Sequence, residues 1–447
     1  MCETYKILIL SSYPPERSAG LAQDYINAFK KEGHKVDFLT LYDYPGRGEK
    51  EYCVFPEHLS TRVRRWANKF PILRILRPIK NILIKSPLDG KSVMNKGLYI
   101  PNMDEKNPPV GINRVTQAIP NHKYDFVYVI FMQRMLTTAT LLAIYEKLHA
   151  PIFIAGVDMA SFTGGCFYFG ECTRYTQKCG KCLILNSDDE NDQTRKNFEY
   201  KQEVYKKIQC AYFCNSYQKK FVDKSGIFSH TIVQTRSVLL DENKFFPLDM
   251  EESRKHFSIP TPKRFIIFSR FAGQKFTRAK GYDHLVTIIN KFVDRLDAYS
   301  SQECLLVLAG TKDTEYERLF NMDVMNVGSL DLNELIRMYS ASSVFISTSI
   351  DDAGPSMVNQ SMMCGTPVVA FSIGTALDVI RNGVSGYMAE NYNDDDFADG
   401  IYNIYTLKNI DYINLRETTR NEALKHNTSK VIIKRITDVY EQIISKK

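Results

Sequence analysis

Residues 347–371 read STSIDDAGPSMVNQSMMCGTPVVAF. The β-branched run ending at Thr348 gives way to an acidic Gly-Pro loop, and Pro suits the first turn of a helix, so a helix is expected to start near Pro355. That helix closes at Cys364-Gly365, where the chain turns into a second strand, PVVAF. Gly354 lets backbone approach a ligand closely. The free N–H groups around Pro355 and Ser356 attract an anion such as a diphosphate. Asp351 and Asp352 precede the helix and Gln360 lies about two turns on; a sugar or ribose hydroxyl needs acceptors of this kind. Taken singly, the two acids would read as capping groups near a helix dipole. Their order and spacing point to a ligand.

The surrounding sequence strengthens that reading. Residues 268–286, FSRFAGQKFTRAKGYDHLV, put Arg270 at the end of a strand and Lys280-Gly281 at the start of the next helix. Two cations at the carboxyl edge of a parallel sheet suit a pyrophosphate leaving group, although any one alone would read as a solvated loop charge. Further strands are expected at Arg264–Ser269, Cys304–Gly310, VMNVG, Ser343–Thr348 and Pro367–Ser372. An earlier series runs through Tyr5–Leu10, Phe126–Phe131, Pro151–Gly156, Ala211–Cys214 and Thr231–Thr235. These runs are apolar without alternation and separated by helical patterns, which indicates parallel sheets covered on both faces. The fold class is therefore α/β, with two Rossmann-like domains. The first is expected over 1–247 and the second over 248–425, joined by a polar, Pro-punctuated stretch. Residues 426–447 would form an amphipathic helix crossing back to the first domain. A nucleotide-type ligand is expected in a cleft between the two, at the carboxyl ends of their strands.

The segment 347–371 resembles the signature of glycosyltransferase family 4, the retaining, two-domain nucleotide-sugar transferases of GT-B architecture. The family pattern has two acids eight positions apart before A-C-G-T-P-V-V-A; this chain has Asp352, then Gln360, then SMMCGTPVVAF, and Asp351 fits if the loop carries one extra residue. The resemblance also covers SAGLAQDYINAFKKEGHKVDFL, where Gly20 sits in the first Gly turn, NSYQKKFVDKSG with LLDENKFFP, VGSLDLNELIRMYSASSVFISTS, and GVSGYMAE as a Gly-rich turn. It implies a hexosyltransferase using a UDP- or GDP-sugar. Arg270 and Lys280 would neutralise the donor diphosphate in place of a metal, so no cofactor is required. The first acid would contact the sugar, and Gln360 would hold ribose hydroxyls.

The chain departs from the family in IAGVDMASFTGGCFYFGEC (154–172). Relatives carry His-Asp followed by an aromatic two residues on; here Val157 stands at the His position, Asp158 is kept and Ala160 replaces the aromatic. Asp158 would serve as a hydrogen-bond acceptor or as a strand-end cap. With Gln in place of an acid at 360, these departures motivate a second reading: a catalytically weak, glycosyltransferase-like binding or scaffold protein of a glycan-assembly complex.

Composition bounds the rest. The 447 residues carry 58 Lys+Arg against 51 Asp+Glu, and 44% are apolar, which excludes a disordered chain. No apolar run reaches the ~18 residues of a spanning helix, and MCETYKILILSSYPP reads as a first strand rather than a signal peptide. Ten cysteines without an export signal point to a reducing cytosol. Cys166, Cys172, Cys179 and Cys182 cluster in one loop, 164–183, where they would hold a structural zinc or pack as reduced thiols. Residues 61–85, TRVRRWANKFPILRILRPIKNILIK, hold eight cations, no acid and the single Trp, Trp66. That pattern suits an anionic membrane surface more than nucleic acid. The expected setting is cytoplasmic, peripheral on the inner face of the plasma membrane, with a glycan or lipid-linked acceptor of a growing surface polysaccharide.

Overall fold

The computed structural model describes residues 3–15, 20–56, 93–95, 98–271 and 277–446. The basic stretch 61–85, with Trp66, lies outside the described residues. The chain forms two compact units. The first comprises Met1–Cys214, Lys219–Thr235 and Ile433–Lys447; the second comprises Asn215–Gln218 and Arg236–Ile432.

In the first unit the described strands are β1 (Lys6–Ser11), β2 (Lys35–Tyr42), β3 (Glu51–Phe55), β4 (Val93–Asn95), β5 (Leu98–Ile100), β6 (Phe126–Phe131), β7 (Ile152–Ala155), β8 (Cys210–Cys214) and β9 (Ile232–Thr235). Seven of these described strands make one sheet in the order β3-β2-β1-β6-β7-β8-β9, while β4 and β5 pair as a short antiparallel hairpin. Every ladder of the main sheet is parallel, with Ile7 beside both Val36 and Phe126. The first crossover helix, Leu21–Lys31, ends as its sequence dictates. Gly33 adopts φ +89°, its N–H reaches Lys30 O and the His34 N–H reaches Phe29 O, at 3.1 and 2.9 Å. This is the paired closure that a left-handed glycine permits.

The second unit holds β10 (Phe265–Phe271), β11 (Cys304–Gly310), β12 (Val324–Gly328), β13 (Val344–Ser347), β14 (Val368–Phe371) and β15 (Gly386–Ala389). They form a parallel sheet in the order β12-β11-β10-β13-β14-β15. Alternate residues of the same strands enter two cores: Ile267, Leu306, Leu308, Val344 and Ile346 on one face, and Ile266, Phe268, Leu305, Val307 and Phe345 on the other. Burial on both faces explains the unbroken apolar runs. GYMA, expected within a Gly-rich turn, is the edge strand β15, paired with Val368–Phe371.

The change of unit at Thr235–Arg236 precedes Pro247, and Leu240 and Phe245 pack in the second core. The last helix, Ser429–Ile444, takes the chain back into the first unit. There the Tyr440 ring stands edge-on to Tyr5 with centroids 5.0 Å apart, and its hydroxyl donates to Asp125 at 3.2 Å.

Candidate functional site

Numbered within its own unit, the second sheet runs 3-2-1-4-5-6, so the strand order reverses between β10 and β13. Ligands of open α/β sheets bind outside the carboxyl ends at such a switch point. The residues expected to bind the donor's diphosphate and sugar occupy the ends of these two strands.

Arg270 is the penultimate residue of β10. It is exposed, and its guanidinium lies 3.6 Å from Met357 Sδ in the first turn of the helix Ser356–Met363. Lys280 closes the short helix Thr277–Lys280, and Gly281 follows with φ +63°. A Cβ at position 281 would come within 1.9 Å of the Thr348 carbonyl oxygen. Only glycine allows this approach, and it lays the 279–281 backbone directly on the 348–351 loop. Thr348 Oγ1 donates to Lys280 O at 3.0 Å, and the Ile350 and Asp351 N–H groups donate to Ala279 O at 3.0 and 3.2 Å. The Lys280 ammonium thereby meets the Asp352 carboxylate. Burial would lower the Lys280 pKa, but Asp352 beside it holds it above the usual lysine value.

Asp352 is buried, and its other oxygen accepts the Gly354 N–H at 3.0 Å. It therefore organises the loop, while Asp351 is half-buried one residue earlier. The Ala353 carbonyl accepts from the Asn215 side chain. The helix Ser356–Met363 has Pro355 as N-cap and no side-chain cap, so its first N–H groups are not covered by a capping side chain. Two turns in, Gln360 is buried and its Oε1 accepts the Tyr339 hydroxyl at 3.1 Å. The structure thus brings Arg270, Lys280, Asp352, Gly354, Pro355 and Ser356 together at one edge, with Gln360 deeper in the same helix.

The first unit carries the other expected residues at the carboxyl ends of its strands. Gly20, at φ +75°, is the N-cap of the helix following β1. Asp158 follows β7 and is 5% exposed. Its Oδ1 accepts the Ala160 N–H at 2.8 Å and its Oδ2 accepts from Gln133 Nε2 at 2.5 Å. Burial outweighs these hydrogen bonds and pushes its pKa up to about 6. Val157, one residue earlier, is half-buried.

Three residues escaped the sequence reading. Gln133 follows β6, and its own Oε1 is buried without a partner among the described residues. Lys201, 1% exposed, donates to Ala160 O and Thr163 O at 2.6 and 3.1 Å and pairs with the buried Glu105 at 3.3 Å. No local pattern marks these residues, because their partners are far away in the chain.

The loop 164–183 gathers Cys166, Cys172, Cys179 and Cys182 around one cavity with Leu98, Ile100 and Phe169. Lys178, Cys179, Gly180 and Lys181 all have positive φ, which forms the expected tight knuckle. Gly164 N–H donates to Cys179 Sγ at 3.2 Å. Among the described residues, however, no three Cys, His, Asp or Glu side chains are placed to hold one metal ion. The sulfurs are free thiols in a largely apolar lining, and burial pushes Cys179 up to about 12. The four thiols thus share one cavity, as both the zinc and the packing-thiol expectations require.

The two units are each an α/β domain built on a parallel sheet. Residues 249–426 match the family described as "Glycosyl transferases group 1". A D-inositol 3-phosphate glycosyltransferase of Thermobifida fusca is 23% identical over 178 residues, 37% of this chain and 40% of the relative. The N,N'-diacetylbacillosaminyl-diphospho-undecaprenol alpha-1,3-N-acetylgalactosaminyltransferase of Campylobacter jejuni is 19% identical over 239 residues, 52% of this chain and 60% of the relative. The chain thus matches these relatives over about half their length. Among solved structures, sucrose-phosphate synthase of Thermosynechococcus elongatus superimposes with a TM-score of 0.63 at 14% identity, covering 99% of this chain and 100% of that one. Anabaena HepE, solved in complex with UDP-glucose, gives 0.59 at 13% identity over 98% and 100%. The fold is that of the GT-B glycosyltransferases. Among the described residues, no helix is long and apolar enough to cross a membrane.

Proposed function

We propose that this protein is a retaining glycosyltransferase, moving a hexosyl unit from a UDP- or GDP-sugar to a growing surface polysaccharide or lipid-linked glycan. The observation that carries the reading is the cluster at the switch point of the second sheet: Arg270, Lys280 held by Asp352, and the helix start at Pro355–Ser356. A departing nucleotide diphosphate needs positive charge fixed in advance, and these groups supply it without reorganisation. Charge of this kind stabilises the leaving group as an oxocarbenium-like centre develops at the sugar. Asp351 and Asp352 are proposed as the acids nearest that sugar, Gln360 as a hydrogen-bonding partner for ribose, and Gly20 and Asp158 as the first unit's contribution. The family match and the UDP-glucose complex of a neighbour of the same fold support a nucleotide-sugar donor.

The test is release of nucleotide diphosphate from a panel of UDP- and GDP-sugars with lipid-linked acceptors, alongside calorimetry of donor binding. Lys280→Ala should lower kcat/KM about 100-fold, the scale of losing one preorganised electrostatic group. An unaltered rate and KM would remove the diphosphate role. Donor binding with no turnover on any acceptor would instead favour the scaffold reading that Val157 and Gln360 motivate. Peripheral attachment to an anionic inner leaflet rests on the sequence of residues 61–85. Replacing Arg64, Arg65 and Trp66 should reduce flotation with anionic liposomes, and unchanged flotation would discard it.

A further inference from the structure

A cavity of about 740 Å³ opens in the second unit at the amino-terminal edge of its sheet, lined by Arg254, Arg264, Glu303, Tyr405, Ile413 and Arg416 among others. Phe265, the first residue of β10, forms part of its wall, whereas Arg270 lies five residues on. At about 3.3 Å per residue, the two ends of this strand are roughly 17 Å apart. The cavity is thus separate from the candidate donor site.

Its lining is unbalanced in charge. Three guanidinium groups face one carboxylate, Glu303, which stands 3.4 Å from Arg264. Arg254 is anchored: it donates to Ala341 O at 3.0 Å, to Arg264 O at 3.2 Å and to the Ser343 hydroxyl at 3.3 Å, and it lies 3.6 Å from Glu251. Arg416 uses one nitrogen, donating to Ser342 O at 3.1 Å and to the Tyr412 hydroxyl at 3.2 Å, and has no carboxylate partner among the described residues. Arg264 is mostly exposed. Guanidinium nitrogens of Arg264 and Arg416 therefore remain for an acceptor. The rim beside them is apolar: Ile413 is 58% exposed and Leu407 37%.

Arg416, without a carboxylate of its own, adds a net positive charge beside two arginines that each have one, and the planar guanidinium fork matches the oxygens of a phosphate or carboxylate. The volume falls in the range of small-molecule sites, about 300–1,000 Å³, which combine an apolar wall with a few placed polar groups. We propose that this cavity binds an organic anion, its phosphate-like head on Arg264 and Arg416, with Arg254 as the fixed charge behind them, and its apolar body against Leu407, Ile413 and Tyr405. Such a molecule could come from solution or from a lipid headgroup, and the test separates the two.

The probe is hexyl phosphate, titrated calorimetrically into the full chain at low salt, with inorganic phosphate and 1-hexanol as head-only and tail-only controls. Hexyl phosphate should bind at least tenfold more tightly than either control. Arg416→Gln should weaken it tenfold or more, as should Ile413→Glu, which adds a repelling carboxylate at an exposed position and leaves the core untouched. Lys280→Ala should leave this binding unchanged, which distinguishes the cavity from the donor site. Equal affinity in wild type and Ile413→Glu, or no binding of hexyl phosphate, overturns the proposal. In a parallel arm with phosphatidylglycerol vesicles, flotation lost in both Arg416→Gln and Ile413→Glu assigns the anion to a lipid. Flotation indifferent to both, with hexyl phosphate binding intact, assigns it to solution.

Discussion

Gln133 donates its side-chain N–H to Asp158 while its own carbonyl oxygen stays buried without a partner among the described residues. Burial of Asp158, only partly offset by the hydrogen bonds it accepts from Ala160 and Gln133, makes the pair proton-dependent. The folded pKa of Asp158, about 6, lies above the ordinary aspartate value of 3.8. The protonated acid is thus favoured by folding. The stability it contributes is full below about pH 3.8 and is lost as pH rises through about 6, roughly 3 kcal/mol in all. Asp158→Asn imitates the protonated form, and after a rotation of the Gln133 amide its NH2 can satisfy the orphan oxygen. Thermal unfolding of the two proteins should coincide most closely near pH 4. By pH 7 the variant should be several degrees more stable; a variant less stable at pH 7 would contradict the assignment. Asp158 was legible in the sequence through the resemblance, which matches it to the acid of the family's His-Asp pair. Gln133 was not, because it meets Asp158 only once β6 and β7 lie side by side.

The loops that carry the candidate residues are each tied down by a single key residue. Lys201, on the helix Gln193–Lys207, ties Ala160 and Thr163 to Glu105. Lys201→Met would leave a buried carboxylate uncompensated and two carbonyls without their donor. The expected cost is about 3–5 kcal/mol, read as a shift of the urea midpoint at constant slope; an unmoved midpoint would refute the role. In the second unit, Gly281→Ala combines a left-handed φ with a backbone overlap against Thr348. It should pull Lys280 away from Asp352, so donor affinity should fall as steeply as in Lys280→Ala while far-UV circular dichroism is kept. Donor affinity equal to wild type would show that the two loops tolerate separation. The sequence marked Lys280-Gly281 as a helix start, and the structure adds that the glycine is there for the Thr348 carbonyl. The acid pair at 351–352 shows the limit of spacing arguments: one residue of register separates a half-buried acid from one buried in the loop, and hydrogen bonds draw that distinction.

At the scale of the molecule, both sheets were readable because strands buried on two faces must be apolar throughout, as FVYVIF and CLLVLAG are. The short hairpin β4–β5 and the edge strands β3 and β15 were not, because partly exposed strands of three to five residues lack that signature. The chain's return to the first unit is a stronger constraint than helix amphipathicity conveys. Ile433, Ile436, Val439, Tyr440 and Ile443 are buried there. Deleting residues 433–446 should strip hydrogen-exchange protection from β1 and β6 while leaving β10 and β11 protected. Undiminished protection in β1 would show the last helix to be dispensable.

The same helix sets a timetable. β1 leaves the ribosome among the first described residues, and the side chains that cover Tyr5 and Asp125 leave it after residue 432. At about 5–20 residues per second, the opening segment of the chain waits roughly 20–80 s for its last packing partner. For that interval the second unit, contiguous from Arg236 to Ile432 apart from four residues near Asn215, can close first. A second unit that gains protection before β1 in pulse-labelled hydrogen exchange on the nascent chain is the expected outcome, and protection of β1 first would contradict it.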